Sequence, residues 1–282
     1  MILLVVSDIG LSYSRRIARA LGLQGARVQT VSWRDVDYDL MSRLNPRRDA
    51  IFFRCGARSA VRIAQTFEDA GFQVLNDSRY MQLSGQKHLA NVYARSFGIA
   101  TPSLNVSIKK RDTRLLTHYL DAYGALVAKP IRSRNMGRFV FLIHSERDFP
   151  DIDTIPGQSI LIQSEVRFDR LVRTIVTRSG VLVDATTYDT KRGGWKATVC
   201  ANPDALHYRH VPAELVFTAE KTMRVFDGDV AYIDFFETSD GYVFSEINQC
   251  CALQHQERIT GYPIADELAR FVVSRVGSSF TA

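Results

Sequence analysis

The chain has 282 residues, of which 46% are apolar and 23% charged, and its formal net charge is +6. This composition is ordinary for a soluble globular protein, and the length suffices for a large core in two or three lobes. No apolar run reaches the roughly 18 to 20 residues that a membrane-spanning helix needs, so no membrane association is expected.

The cysteines and the basic residues narrow the possible classes further. Cys55, Cys200, Cys250 and Cys251 show no CxxC spacing, so neither a zinc site nor a disulfide framework is expected, and a cytoplasmic location fits best. The positive charge is compatible with nucleic acid, but the basic residues are scattered and no zinc-finger, RNP or helix-turn-helix pattern accompanies them. A phosphate-bearing or acidic small substrate is therefore favoured over nucleic acid.

Residues 1–83 alternate apolar strands with helices. The start, "MILLVVSD", lacks the length and basic segment of a signal peptide and is interpreted as the first strand. Three further strands follow at "RVQTVSW", "AIFFRC" and "FQVLND", with helices at "SRRIARALGLQG" and "ARSAVRIAQTFEDAG". The pattern predicts an open, mainly parallel α/β layer. No GxGxxG follows the first strand, so no dinucleotide site is predicted there.

Residues 84–162 predict a small α+β lobe with two helices and three strands. Lys129 lies inside the strand "ALVAKPI", where an unpaired ammonium is costly and a phosphate would compensate it. The segment 131–138 that follows offers arginines and backbone amides to an anion. The alternative is a lysine that reaches solvent from an edge strand. Lys87, on the first helix of this lobe, cannot be distinguished from a surface lysine by itself.

Residues 163–282 predict a strand-rich lobe. A hairpin with a Ser-Gly turn covers 171–190, a helix lies near 212–227, and a final helix covers "YPIADELARFVVSRV". Arg173 is a cation inside the hairpin. It either holds a phosphate or carboxylate with two hydrogen bonds or forms a salt bridge on the sheet face.

A second hairpin, around Ser239-Asp240-Gly241, carries polar side chains in apolar strands. Glu246 and Asn248 are two residues apart and point to one face, and Asp234 on the neighbouring strand can lie beside them. Two carboxylates and an amide oxygen suit Mg²⁺ or Mn²⁺. The alternative is a solvated sheet face.

Histidine and cysteine provide weaker candidates. His207 and His210 have the spacing of metal ligands, but no third ligand accompanies them, so a surface role is preferred. Cys250 and Cys251 have no His/Asp arrangement to activate a nucleophile, so they are interpreted as small buried hydrophobes.

The order of these features from about 76 to 275 resembles the ATP-grasp superfamily, especially the RimK-like carboxylate–amine ligases. The resemblance rests on a phosphate-lysine helix followed by a Gly-Ile-x-x-Pro turn, a second phosphate-lysine strand, an adenine hinge, an Asp strand paired with a Glu-x-Asn strand, and a closing helix. The corresponding segments are "GQKHLANVYARSFGIATPS", "LVAKP", "ILIQSEV", "DFFETSDGYVFSEIN" and "ERITGYPIADELARFV".

The resemblance implies an ATP-grasp fold. It would consist of a pre-ATP-grasp α/β domain at 1–83, a central lid subdomain at 84–162 and a C-terminal subdomain at 163–282 that holds the metal. It also implies a role for each matching residue. Lys87 and Lys129 would contact the ATP phosphates, Arg173 and Lys129 would act at the transferred phosphoryl group, and Asp234, Glu246 and Asn248 would hold Mg²⁺ (or Mn²⁺). Gln163, Ser164 and Val166 would line the adenine pocket, largely through the backbone, and Arg192 and Lys196, around "GGWKAT", would contact the substrate.

The implied reaction activates a small-molecule or peptide carboxylate with ATP and joins it to an amine, in a protein expected to be a dimer or tetramer. The chain departs from the family pattern at Gln86, Leu171 and Thr198, and "QCCAL" follows Asn248 where Ser-x-Pro-Gly is usual. Two alternatives therefore stay open besides nucleic-acid binding. One is a ligase that modifies a ribosomally made peptide through esters or amides, and the other is a nucleotide-binding regulatory protein without turnover.

Overall fold

A computed structural model describes residues 1–8, 12–56, 58–131, 139–189, 206–208, 210–250 and 253–280. The N-terminal lobe is a four-stranded parallel sheet of order β2-β1-β3-β4, as the alternating pattern predicts. All five residues of β1 and of β3 are buried, which explains why these strands are continuous apolar runs. The elements in chain order are β1 (Ile2–Val6), α1 (Ser12–Leu23), β2 (Val28–Ser32), α2 (Tyr38–Ser42), β3 (Ala50–Arg54), α3 (Arg58–Asp69) and β4 (Gln73–Leu75).

Two helices and a second, antiparallel sheet follow. The sheet has the order β5-β8-β6-β7, and α6 packs on it around a core that includes Leu116, Leu126 and Ile160. The elements are α4 (Ser78–Ser84), α5 (Lys87–Ser96), β5 (Asn105–Lys109), α6 (Thr113–Tyr123), β6 (Leu126–Pro130), β7 (Phe141–Ile143), α7 (Phe149–Ile152) and β8 (Ser159–Ser164).

Lys129 does not lie on an edge strand. Strand β6 pairs with β8 on one side and with β7 on the other, and Lys129 is only 7% exposed. The alternative in which this lysine extends to solvent from an edge is therefore wrong. A buried ammonium in an internal strand needs a compensating charge.

The C-terminal lobe is a five-stranded antiparallel sheet of order β11-β10-β9-β12-β13. Both predicted hairpins are present, with two-residue turns after Thr177 and Thr238. The elements are β9 (Arg170–Thr177), β10 (Gly180–Asp189), β11 (Leu206–His207), α8 (Ala213–Phe226), β12 (Val230–Thr238), β13 (Gly241–Asn248), α9 (Leu253–Thr260) and α10 (Ile264–Phe280). The sequence prediction has no counterpart for helices α2, α4, α7 and α9 or for strands β5 and β11, so the central sheet has four strands where three were predicted.

The two faces of the C-terminal sheet bury different partners. One face packs against α5 and α8 through residues such as Phe235 and Phe244. The other shares a core with the N-terminal sheet and α10, and this core includes Ile175, Tyr232 and Leu4. Among the described helices, none is long and apolar enough to cross a membrane.

Candidate active site

Two lysines from different elements lie near each other between the central sheet and the C-terminal sheet. Lys87 is the first residue of α5, and Lys129 lies on β6. The backbone N–H of Lys87 donates to the carbonyl of Ile131 (3.1 Å), which holds the start of the helix against the end of the strand. This backbone contact brings together two cations that are 42 positions apart in the sequence.

Both lysines have lowered pKa values, chiefly because they are buried. Burial lowers the pKa of Lys87 to about 8, although the Asp234 carboxylate opposes the shift and the Arg173 guanidinium adds to it. Burial and then repulsion by Lys87 lower the pKa of Lys129 well below its usual range. A bound polyanion would compensate both ammonium groups, so the lysine pair favours a phosphate ligand.

Arg173 and Asp234 form a buried ion pair on the C-terminal sheet. They are directly opposite each other on β9 and β12, and Arg173 Nε and Nη2 donate to Asp234 Oδ1 and Oδ2 at 2.6 and 2.5 Å. Both side chains are less than a tenth exposed. The two-bond geometry fixes the orientation of the guanidinium and of the carboxylate.

Glu246 lies opposite Asp234 on the other neighbouring strand. Its carboxylate pairs with the Lys87 ammonium and accepts a hydrogen bond from Asn248 Nδ2 (3.0 Å). An irregular register between β12 and β13 follows this pair, as a β-bulge produces. The hairpin thus brings Asp234, Glu246 and Asn248 together on the sheet face that carries Tyr232, and Lys87 reaches Glu246 from the start of α5.

The donor chemistry of this cluster fits Mg²⁺. Within the described ranges, no group of three or more His, Cys, Asp or Glu side chains gathers. The cluster offers two carboxylates and one amide oxygen, and Mg²⁺ commonly uses one or two carboxylates with phosphate oxygens and water. Lys87 and Lys129 would face those phosphates.

One cross-strand row connects all five strands of the C-terminal sheet. Directly opposed residues of antiparallel strands share a face, so the side chains of the row project on the same side. The row contains His207, Thr186, Arg173, Asp234 and Glu246. His207 therefore lies two strands from Arg173, whereas His210 is exposed beyond β11.

The residues predicted for the adenine pocket lie at and after the end of β8. Gln163 Nε2 donates to Asn105 Oδ1 (2.8 Å), and Ser164 Oγ bonds Ser103 Oγ (2.8 Å). Val166 is half-buried in the segment that leads to β9. Protein partners thus occupy both polar side chains, and the backbone N–H of Ser164 also donates to the Leu104 carbonyl (3.3 Å).

Several predicted residues lie outside the described residues. They are Arg192, Lys196, Cys200, Cys251 and the loop residues 132–138.

The sequence prediction missed Asn91, which connects the two halves of the cluster. Asn91 is 1% exposed, and its Nδ2 donates to the Lys87 carbonyl (3.0 Å) and to the Ser245 carbonyl (3.1 Å). It thereby ties α5 to β13, the strand that carries Glu246. In the sequence, the only sign of this role is that Asn91 lies four residues after Lys87, a spacing that places both side chains on one face of a helix.

A cavity of about 710 Å³ opens beside the cluster. It lies between the carboxyl ends of β1 and β3, the segment that joins α4 to α5, and the end of β13. Asn248 and Cys250 line it on one side. Gln249 and Cys250, which belong to the segment that departs from the family pattern, therefore contribute to the wall of this cavity.

Comparison with known proteins gives a family and a fold. The model of the RimK-like ATP-grasp domain matches residues 81–272. No curated protein matches the sequence.

Three solved structures have the same fold over nearly the whole chain. The ATP-grasp ligase PsnB, complexed with a minimal precursor, Mg and ADP, has a TM-score of 0.74 at 14% identity, covering 98% of this chain and 97% of PsnB. A RimK domain ATP-grasp protein from Sphaerobacter thermophilus has a TM-score of 0.70 at 15% identity, with 97% and 100% covered. D-cycloserine synthetase DcsG has a TM-score of 0.72 at 14% identity, with 98% and 100% covered.

Proposed function

The chain belongs to the RimK-like ATP-grasp family and is an ATP-dependent ligase, and we propose that it joins a carboxylate to an amine through an acyl-phosphate. The observation that carries the proposal is the meeting of the buried Lys129 and the partly buried Lys87 with Asp234, Glu246 and Asn248. Positive charge for phosphates and oxygen ligands for a divalent cation thus lie in one place, which is what phosphoryl transfer requires.

Each candidate residue has a role in this proposal. Lys87 and Lys129 bind the phosphates of ATP, which lies between the central lobe (84–162) and the C-terminal lobe (163–282). The backbone around Gln163, Ser164 and Val166 holds the adenine. Asp234, Glu246 and Asn248 would hold Mg²⁺ (or Mn²⁺), which would supply positive charge to neutralise the phosphates.

The chemistry needs no covalent protein nucleophile. A carboxylate oxygen of the substrate attacks the terminal phosphorus of ATP, the bond to the bridging oxygen breaks, and ADP leaves. The amine nitrogen then attacks the acyl carbon, loses a proton, and displaces phosphate. Arg173 and Lys129 stabilise the negative charge on the transferred group. Their fixed positions, through Asp234 and β6, supply the orientation.

An acyl-phosphate trap tests this function. The purified protein is incubated with ATP, Mg²⁺ and a panel of amino acids and short peptides, and ADP release is measured together with mass gain. Hydroxylamine replaces the amine in a parallel reaction and should give a hydroxamate. Nucleotide binding without ADP release for any carboxylate would instead favour the regulatory protein.

A peptide substrate is the second candidate. The chain shares its fold over nearly its full length with PsnB, which was solved with a precursor peptide. The cavity beside Asn248 is also within the usual range of about 300 to 1,000 Å³ for ligand pockets. A side-chain carboxylate joined to a side-chain hydroxyl or amine of the same peptide would lose one water, which mass spectrometry distinguishes from the gain of an amino acid.

A further inference from the structure

All four carboxylate oxygens of the cluster accept hydrogen bonds from other side chains of the protein. Arg173 Nε and Nη2 donate to the two oxygens of Asp234 at 2.6 and 2.5 Å. Lys87 Nζ donates to Glu246 Oε2, and Asn248 Nδ2 donates to Glu246 Oε1 at 3.0 Å. Each carboxylate proposed as a metal ligand is therefore neutralised by a cation that is itself proposed to act on phosphate.

The two ion pairs differ in how readily they can separate. Arg173 and Asp234 are directly opposed on neighbouring strands, share two hydrogen bonds, and have side chains that are 8% and 5% exposed. Lys87 and Glu246 connect a helix with a strand through a single ammonium, and their side chains are 15% and 18% exposed. Because the lysine side chain is flexible and its ammonium can rotate, the second pair is the one that can open.

Asp234 can bind a metal without losing its partner. Each carboxylate oxygen has two lone pairs, so Asp234 can keep both bonds from Arg173 and still offer an oxygen to a cation. Glu246 is in a different position, because the ammonium of Lys87 and a divalent cation on the same carboxylate would repel each other. Lys87 thus competes with a metal for Glu246.

The same contact opposes the binding of nucleotide by itself. To reach a phosphate, the ammonium of Lys87 has to leave Glu246, and the carboxylate would then face the negative phosphates without a counter-charge. When metal and nucleotide arrive together, the phosphates take the ammonium and the metal takes the carboxylate. Each charge then keeps an opposite partner, so the two binding events favour each other.

We infer that the Lys87–Glu246 pair is an exchangeable, autoinhibitory contact that makes the binding of divalent metal and of nucleotide depend on each other. Lys87 moves from Glu246 to the phosphates, and Glu246 exchanges the ammonium for the metal. The pair lowers the affinity for either ligand alone. The inference rests on the proposed function, because that function assigns the phosphates to Lys87 and the metal to Glu246.

The affinity for ADP in the absence of metal tests the exchange directly. Mg²⁺ also binds ADP in solution, so a dependence on Mg²⁺ alone does not identify the contact, and calorimetry on the full chain is therefore done in EDTA. Glu246→Gln keeps the size of the side chain and releases Lys87, so it should bind metal-free ADP about tenfold more tightly than the wild type. In Mg²⁺ the order should reverse, because the variant has lost a metal ligand.

The affinity for metal in the absence of nucleotide tests the exchange from the other side. The electron paramagnetic resonance signal of free Mn²⁺ measures binding without any turnover. Lys87→Met removes the competing ammonium, so it should bind Mn²⁺ about tenfold more tightly than the wild type while it loses affinity for ADP.

The double variant K87M/E246Q distinguishes exchange from simple repulsion between Glu246 and the phosphates. Repulsion alone predicts that E246Q raises the affinity for metal-free ADP by the same factor whether residue 87 is Lys or Met. Exchange predicts that the gain disappears when Lys87 is absent. Glu220→Gln is the control, since Glu220 pairs with Arg224 on the exposed side of α8 and should leave both affinities unchanged.

Three results would overturn the inference. They are an affinity for metal-free ADP that does not rise in E246Q, an equal gain in the wild-type and K87M backgrounds, and an affinity for Mn²⁺ that does not rise in K87M.

The fate of the proposed function is measured separately through ADP release. If the variants show the exchange but no acid causes ADP release by the wild type, the contact stands and the ligase proposal fails. If the wild type releases ADP with an acid but E246Q shows no gain in EDTA, the ligase proposal stands and the exchange fails. A wild type that binds no ADP in Mg²⁺ would overturn both.

Discussion

At the scale of single residues, Lys129 disfavours folding but is suited to bind an anionic ligand. It is 7% exposed on an internal strand, and the described residues provide it with no salt bridge. Its charge disfavours the folded state, because burial and Lys87 both oppose protonation. Residues that lower the stability of the fold in this way are common at functional sites.

Replacing Lys129 by Met should stabilise the fold and remove nucleotide binding. The apolar side chain suits the buried position, and each pKa unit that the lysine loses on folding corresponds to about 1.4 kcal/mol. Urea unfolding should show a higher free energy of unfolding, and calorimetry should show loss of ADP binding. Lys109→Met, at an exposed position on β5, is the control and should change neither quantity. A less stable Lys129→Met protein that still binds ADP would contradict the prediction.

The same lysine predicts a pH dependence of stability. Its pKa in the folded protein lies below the unfolded value of 10.5, so between these two values the unfolded chain holds more protons. The free energy of unfolding should therefore rise with pH through this window, because the destabilisation by Lys129 is complete below the folded pKa and disappears above 10.5. Urea unfolding from pH 7 to pH 10 should show a smaller rise in Lys129→Met than in the wild type.

The two carboxylates of the cluster should differ in their effect on stability. Asp234→Ala leaves Arg173 buried without its two-bond partner and should cost about 3 to 5 kcal/mol. Glu246→Ala removes the partner of Lys87, which is more accessible than Arg173, so the loss of stability should be smaller. The same substitution should abolish ADP release. Denaturation midpoints together with ADP assays measure both. Near-normal ADP release by a folded Glu246→Ala protein would argue against the metal assignment.

At the scale of elements, the position of α5 determines whether Lys87 faces the cluster. The first turn of this helix contacts the residue after β6, and Asn91 bonds the helix to the backbone of β13. Helix α5 thus connects the strand of Lys129 with the strand of Glu246.

Asn91→Ala should therefore affect the reaction as well as stability. Loss of two buried hydrogen bonds should cost about 1 to 3 kcal/mol. Because Lys87 is then held less firmly, kcat should fall more than the KM for ATP changes. Ser96→Ala, at an exposed position of the same helix, is the control. Unchanged kcat in a destabilised Asn91→Ala protein would mean that the residue serves stability alone.

Regular elements with strong periodicity were predictable from the sequence, and short polar ones were not. The four strands of the N-terminal sheet and both hairpins follow from apolar runs and turn residues. Helix α9 begins within the atypical "QCCAL" segment and is mostly polar, so its local pattern resembles a loop. Its helical state depends on packing, since Leu253 is buried in the core shared with the N-terminal lobe.

At the scale of the whole molecule, one core joins the first and last thirds of the chain. It includes Leu4 of β1, Tyr232 of β12 and Leu268 of α10. The Arg16 guanidinium on α1 also bonds the Asp266 carboxylate on α10 at 2.9 and 2.7 Å. The N-terminal lobe is therefore held against the C-terminal sheet, and the cavity lies at this junction.

Leu268→Ala tests this coupling. The side chain is fully buried, so the truncation should cost about 2 to 5 kcal/mol. Because both lobes share the core, hydrogen exchange should accelerate in β1 and in β12 together. Leu23→Ala, at an exposed position of α1, is the control and should leave exchange unchanged. Faster exchange in α10 alone would show that the lobes are independent.

The sequence by itself determined the alternation of elements, the two hairpins and the identity of the polar residues in apolar strands, because backbone preferences and side-chain periodicity act over a few neighbouring residues. Only the tertiary structure decided what those residues face. It placed Lys129 in an internal strand, and it paired Arg173 with Asp234 and Glu246 with Lys87. The physical reason is that charge compensation and burial depend on distances in space, and these are set by packing between elements far apart in the chain.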